Sequence, residues 1–298
     1  QAVLDTDVDM TGIEMHPIGC FSDDHDIAGD GVNKIFRGTF DGQGHEIRNL
    51  NIVVDDRFEG GLFGRAAGSA TQIKNFGLVN PSVVNPSSNG CRLGAVCGEL
   101  NEAVISNVYV VGNITLQTSN AQLASFAGEA HQGTIVNCYT TSELPISYQG
   151  TKTNCYQGEE VTKTVSTGEL CFKLNGNSSV KPVWRQTLGK DAYPVLNKES
   201  MVVYQLEDGT FTNEMGEMDK YAGTAEDPIR IKSLHDMQVL HDYLKTGQMT
   251  YVTLETDLDM SGVTDWKPLN TNDDTFNGKG YMNWVNFDGK GHTITGFN

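Results

Sequence analysis

A chain of 298 residues with 33 Gly, 8 Pro and 20% charged side chains is ordinary globular material, long enough for one large domain or two to three smaller ones. Its formal net charge of −17 opposes a phosphate backbone and no segment gathers Lys or Arg, which excludes nucleic acid as the expected partner. No apolar run approaches the ~18 to 20 residues of a membrane-spanning helix, so no membrane span is expected.

From the N-terminus, Asp5, Asp7 and Asp9 alternate with Thr6, Val8 and Met10, which sets three carboxylates on one face of a strand. Gly12 falls two places too late for an EF-hand loop. In the next loop Asp23, Asp24, Asp26 and Asp30 lie between Cys20 and Lys34. Hard oxygen ligands on a flexible loop suit calcium, so these four are the candidate metal site; a solvated loop needing no cofactor is the competing reading.

The run Phe40-Asp-Gly-Gln-Gly-His45-Glu-Ile47 returns 247 residues later as Phe287-Asp-Gly-Lys-Gly-His292-Thr-Ile294. Upstream, Leu4 to Gly12 is matched by Leu254 to Gly262, with Glu255, Asp257 and Asp259 as the second carboxylate set. One long unit therefore starts at the N-terminus and a second near residue 222. Both ends fall inside a unit, so the chain reads as an excised piece. The expectation is a bare strand edge at Ala2 to Met10 and another in 222–298, covered by other polypeptide or by edge-to-edge self-association. Asp55, Asp56 and Arg57, near Asp41, are candidate binding residues, carboxylates and a base gathered in one region as a sugar-binding site requires.

Inside the first unit runs a shorter motif: Ile47-Arg-Asn49, Ile73-Lys-Asn75, Ile105-Ser-Asn107 and Ile135-Val-Asn137, spaced by 26, 32 and 30 residues and each followed by alternating apolar residues. Three copies are preceded by Gly-rich apolar turns, Gly61-Leu-Phe-Gly64, Gly94-Ala-Val-Cys-Gly98 and Ser125-Phe-Ala-Gly128. Two short strands and turns per ~30 residues with period-two alternation predict a mainly β solenoid. Asn tolerates the left-handed backbone that turns a coil, so Asn49, Asn75, Asn107 and Asn137 are expected to stack as one amide ladder, with Gly296 in that place at the other end. The six cysteines contain no Cys-x-x-Cys pair; their even number permits disulfides in an exported protein without requiring them. Cys138 and Cys155, in Asn-Cys-Tyr triplets where other repeats carry Phe76 or Val108, read as small buried hydrophobes of a stack. Tyr109, Tyr139 and Tyr156, placed outward by the alternation, are the candidate aromatic strip for stacking on sugar rings; packing within the fold is the competing reading.

Gly61-Leu-Phe-Gly64 with the Ile-x-Asn repeats and the Phe-Asp-Gly-x-Gly-His-x-Ile lead-in resembles the GLUG repeat of bacterial surface proteins over about residues 1–158 and again over 222–298. The resemblance implies a right-handed parallel β-helix, of the pectate-lyase-like kind, on an exported bacterial protein at the cell surface or outside the cell. GLUG repeats also occur in proteins related to immunoglobulin A proteases, but the zinc motif His-Glu-x-x-His is missing here: His235 and His241 stand six residues apart. The third copy departs from the pattern at Ser125-Phe-Ala-Gly128.

Residues 159–221 have another texture and read as an end cap and linker. Ser166-Thr-Gly-Glu169 is a capping box opening a short helix, and Met201 to Phe211 a hairpin turning at Asp208-Gly209. In 222–298, Asp227 to Lys232 reads as a strand. A helix capped by Ser233-Leu-His-Asp236 follows to about Lys245, with Leu234, Met237, Leu240 and Leu244 on one face and His235 and His241 toward solvent. Two classes of function follow. The first is a non-catalytic cell-surface or secreted β-helix module for adhesion, binding a host glycan or protein. The alternative is a polysaccharide lyase or glycosidase of the β-helix type.

Overall fold

The computed structural model describes residues 1–19, 35–54, 59–86, 90–118, 121–179, 182–206, 208–216, 220–244, 249–261 and 284–296. Its parallel stacked sheets form a β-solenoid, as the repeat predicts. Two compact units partition the chain: one comprises 1–164 with 195–198, the other 165–194 with 199–298. The segment expected as cap and linker is thus shared between them.

In the first unit a coil holds four strands where the spacing predicts two. One coil runs Cys91–Gly94, Cys97–Asn101, Val104–Val111 and Thr115–Gln117, and each strand pairs in parallel with its counterparts in neighbouring coils. The Gly-rich turn accounts for the extra corner. A Cβ on Gly94 would lie 2.4 Å from the carbonyl oxygens of Cys97 and Phe126, a separation only glycine permits. The longest sheet stacks Thr39–Asp41, Gln72–Val79, Val104–Val111, Thr134–Thr140 and Thr151–Gln157, with Ala2–Val3 at its other edge. Its register puts Ile73 beside Ile105 and Ile105 beside Ile135, and Phe76 beside Val108. All five, with Cys138, are fully buried in one apolar core. A slip of one residue would turn that whole set to solvent, so the alternation locks the register.

The Asn residues do stack, but as two ladders. Asn75, Asn107, Asn137 and Asn154 have φ of 58°, 51°, 52° and 51°, in the left-handed region. Asn75 Nδ2 donates to Asp41 Oδ1 at 3.0 Å, Asn107 Nδ2 to Asn75 Oδ1 at 3.0 Å, Asn137 Nδ2 to Asn107 Oδ1 at 3.4 Å, and Asn154 Nδ2 to Asn137 Oδ1 at 2.9 Å. Asn49 belongs to the other ladder. It accepts from Asn80 Nδ2 at 3.2 Å and donates to Asp9 Oδ1 at 3.0 Å. The cause is the turn at Gly42 to Gly44, which splits one coil's strand in two: Phe40, not Ile47, partners Ile73, while Ile47 partners Leu78 and so brings Asn49 beside Asn80.

The second unit has its own core, with Ile229, Ile231, Leu240, Val252 and Leu254 buried. Strands Ile229–Ile231, Met249–Leu254 and Trp284–Asp288 form a parallel sheet, and Leu258–Asp259 pairs with Ile294–Thr295 as Val8–Asp9 pairs with Glu46–Arg48 in the first unit. Gly296 (φ 74°) takes the place of Asn49, against Asp259 and Ser261. The hairpin forms from Tyr204–Gln205 and Phe211–Thr212.

Three helices are described: α1 (Gly158–Thr164), α2 (Glu169–Leu174) and α3 (Leu234–Tyr243). Ser233 caps α3, its Oγ accepting from the Asp236 amide at 3.0 Å, as expected. The capping box of α2 does not form. Gly168 is its N-cap at φ 87° and makes no side-chain cap bond, so Ser166 and Thr167 lie in a preceding 3₁₀ turn. His235 also departs from expectation, being buried rather than solvent-facing. Its Nε2 lies 3.0 Å from the Glu214 carbonyl oxygen, and its ring meets Tyr204 edge-on at 5.3 Å. A carbonyl can only accept, which assigns the ring proton to Nε2. The His241 side chain lies outside what the structure describes.

Candidate functional site

Among the described residues of the first unit, a charged column lies where two short sheets meet across the Gly-rich turns. Glu59 is the register partner of Arg92, and Arg65 and Glu129 are both partners of Glu99 in the adjoining sheet. Strands after each turn put Arg65, Glu99 and Glu129 in one row, directly following Gly64, Gly98 and Gly128. A Cβ on Gly98 would meet Glu59 Cβ at 2.6 Å and the Gly60 nitrogen at 2.5 Å. The missing side chain therefore lets the two rows approach.

Within this column Arg65 Nη2 lies 3.0 Å from Glu99 Oε1. Arg92 reaches three carboxylates: Glu99 at 3.5 Å, Glu59 at 3.8 Å and, through Nε, Glu129. Gln149 Nε2 donates to Glu129 Oε1 at 2.7 Å. The Glu59 side chain is 4% exposed, whereas that of Arg92 is 39% exposed. Charges this far from water persist only when paired and hydrogen-bonded, and the two guanidinium groups supply that pairing. Next to Glu129 in register stands Tyr148, whose ring is exposed. The column thus offers an exposed tyrosine, a half-open guanidinium and carboxylate and amide groups.

The predicted aromatic strip is not such a face. Tyr109 and Tyr139 are fully buried and stacked on one another, centroids 5.6 Å apart and planes 5° from parallel. Alternation does place them on the outer side of the sheet, away from the core cluster, but they are covered there. Tyr109 lies over Gly77, where a Cβ would stand 2.2 Å from its ring, and its hydroxyl donates to buried Glu46 Oε1 at 2.5 Å. Tyr156 is half-buried, donating its hydroxyl to Asn154 Oδ1 at 2.7 Å at the end of the amide ladder. No sugar can stack on the two buried rings, which serve the fold.

No protein-family model, curated protein or solved structure matches this chain.

Asp55, Asp56 and Arg57, and the loop carboxylates Asp23, Asp24, Asp26 and Asp30, lie outside the described residues. Glu59, close behind the first group in sequence, is the described residue that enters a charged cluster. Among the described residues no set of three or more His, Cys, Asp or Glu side chains is arranged to hold a metal ion. No described helix is long and apolar enough to cross a membrane.

The two alternating carboxylate sets, Asp5 to Asp9 and Glu255 to Asp259, bind the chain to itself. Asp7 Oδ1 accepts the Glu46 amide at 3.0 Å and faces His45 Nδ1 at 3.1 Å; Asp257 Oδ1 accepts the Thr293 amide at 2.8 Å and faces His292 Nδ1 at 3.2 Å. Asp9 accepts the Thr11 hydroxyl, the Asn49 amide group and the Thr11 backbone amide, which in that order hold its carboxyl below the ordinary value. The Thr293 amide first, then His292, do the same for Asp257. Glu255 is lowered by the Lys290 ammonium at 2.6 Å, as Gln43 approaches Asp5 in the first copy. Each acidic alternation therefore clamps the following Phe-Asp-Gly-x-Gly-His turn.

Sequence reasoning passed over the Glu59, Arg65, Arg92, Glu99 and Glu129 column. Its signal was a charged residue at the same place behind each Gly-rich turn (Arg65, Glu99, Glu129), obscured because the sign changes between copies.

Proposed function

We propose that the protein is a non-catalytic, cell-surface or secreted β-helix module that binds a glycan through the flank carrying Tyr148, Gln149, Glu129 and Arg92. The observation that supports this reading is the exposed Tyr148 ring standing in register with Glu129, itself tied to Arg92 and Gln149. An aromatic face stacks on the apolar face of a sugar ring, and the neighbouring guanidinium, carboxylate and amide groups suit its hydroxyls. The GLUG-like repeats argue for an exported bacterial protein and the same kind of role. Carboxylates engaged by two arginines suit recognition better than acid–base turnover, because a general acid or nucleophile needs an oxygen directed at the substrate.

The test is a glycan array run beside reducing-sugar and unsaturated-product assays on the same glycans. Binding that falls at least tenfold on Tyr148→Ala, with no product released, supports the reading. Turnover of any bound glycan would favour the alternative, a β-helical lyase or glycosidase, and retention of full binding by Tyr148→Ala would move the site elsewhere.

A further inference from the structure

We propose that Cys138 and Cys155 are a covalent modification site, a thiol pair that closes into a disulfide between two successive coils on exchange with a small-molecule or protein disulfide. The two residues are direct register partners in the parallel strands Thr134–Thr140 and Thr151–Gln157. Neighbouring strands run ~4.8 Å apart, inside the span of about 4.4 to 6.8 Å between Cα atoms that a disulfide bridges. Both side chains point to the same interior, since both pack in the first core cluster. They continue the column begun by Phe76 and Val108, and the Asn ladder beside them holds the strands in step through the 2.9 Å bond from Asn154 to Asn137. No other pair of described cysteines shares a register position: Cys91 partners Ala121 and Cys97 partners Ala127.

The two thiols are unequal, which orders the steps. Cys138 is fully buried, and burial pushes its thiol up; Cys155 is half-buried, and the Cys138 thiol hydrogen-bonded to it, with Lys152 nearby, holds it below its ordinary value. The Cys155 thiolate attacks one sulfur of the oxidant RS–SR, forming Cys155–S–SR and releasing RS⁻. Cys138, losing its proton, then attacks the Cys155 sulfur and expels the second RS⁻. Two protein thiols are oxidised, one external disulfide is reduced to two thiols, and one sulfur–sulfur bond is formed for the one broken.

The bond would act at one edge of the solenoid's long sheet. Strand Thr151–Gln157 ends the long sheet, and its residues are more exposed than those of Thr134–Thr140. Tying it to the strand beneath closes a loop of 17 residues, which removes freedom from the unfolded chain.

The full chain is incubated with oxidised glutathione, alkylated and mapped as peptides without reduction. One cross-linked pair containing Cys138 and Cys155 is expected, with Cys91, Cys97 and Cys171 recovered as free thiols. The thermal transition followed by near-ultraviolet dichroism of the stacked tyrosines should rise by roughly 5 to 10 °C and fall back on reduction. Cys138→Ser should stop at a glutathione adduct on Cys155, and Cys155→Ser should show no oxidant-dependent rise. Should Cys138→Ser not fold, the wild-type peptide map decides alone. Recovery of Cys138 and Cys155 as separate peptides, a bridge from either to another cysteine, or a stable glutathione adduct in the wild type overturns the proposal.

Discussion

Asn107 shows how one residue answers to two demands. Its φ of 51° asks for a residue tolerant of the left-handed region, and its amide both donates to Asn75 and accepts from Asn137. Asn107→Gly keeps the backbone and loses the ladder bonds, costing about 1 kcal/mol, whereas Asn107→Ala also strains the backbone and should cost about 2 to 3 kcal/mol. Urea unfolding of the two variants checks the order, and an Ala variant as stable as the Gly variant would refute the backbone half of the account. Tyr109 is the second instance. Tyr109→Phe keeps the stacked ring but takes the 2.5 Å donor from Oε1 of buried Glu46, leaving that carboxylate its ion pair with Arg48, an expected loss of about 1 to 2 kcal/mol in the same measurement. The carboxylates obey the opposite logic to a catalytic pair. Asp9 sits below its ordinary 3.8 when folded, so its contribution is present above that pH and lost as the pH falls through the lower folded value. Asp9→Asn should therefore flatten the fall of stability on acidification below the ordinary carboxyl value, measured by denaturant titration at each pH.

At the scale of elements, strands meet so closely that side chains are forbidden at chosen places. Gly77 is such a place: its backbone needs no special angle, but a Cβ would drive into the Tyr109 ring. Gly77→Ala should cost about 1 to 3 kcal/mol through displacement of that ring, visible as loss of tyrosine near-ultraviolet dichroism. The Glu and Arg column joins two sheets by charge. Removing the guanidinium in Arg92→Met takes from Glu59, Glu99 and Glu129 the cation they share and leaves Arg65 paired with Glu99; since Arg92 is partly exposed the loss should be about 1 to 3 kcal/mol rather than that of a fully buried pair. Adding Glu99→Gln should restore part of it; a double variant weaker than the sum of the single ones would contradict mutual repulsion as the cause. Which elements were legible depended on what sets them. The α3 cap at Ser233 and the hairpin at Gly209 use local bonds and were readable, whereas Ser166 opens no helix because the chain there follows a 3₁₀ turn into Gly168.

Across the whole molecule, two apolar cores lie in two units, and a core substitution should be felt in its own unit alone. Leu254→Ala is expected to speed amide exchange of Ile229, Ile231 and Val252 and to leave Ile105 and Ile135 unchanged, a result that hydrogen-exchange mass spectrometry reads directly. Slowed or quickened exchange at Ile105 would mean that the units unfold as one.

The solenoid itself was determined by the sequence alone, because coils repeat and a repeating apolar alternation has one way to bury itself: Ile73, Ile105 and Ile135 had to lie one above another. Left-handed Asn residues followed from their chemistry and recurrence. What only the tertiary structure decided was partnership across unequal spacings. The turn at Gly42 shifts Asn49 into the second ladder, and no count of residues reveals which of two candidate strands a split strand will meet. The same holds for Tyr109 and Tyr139. Alternation correctly sends them outward, yet whether an outward ring meets water or a neighbouring segment depends on chain packed there from elsewhere, which no local pattern encodes.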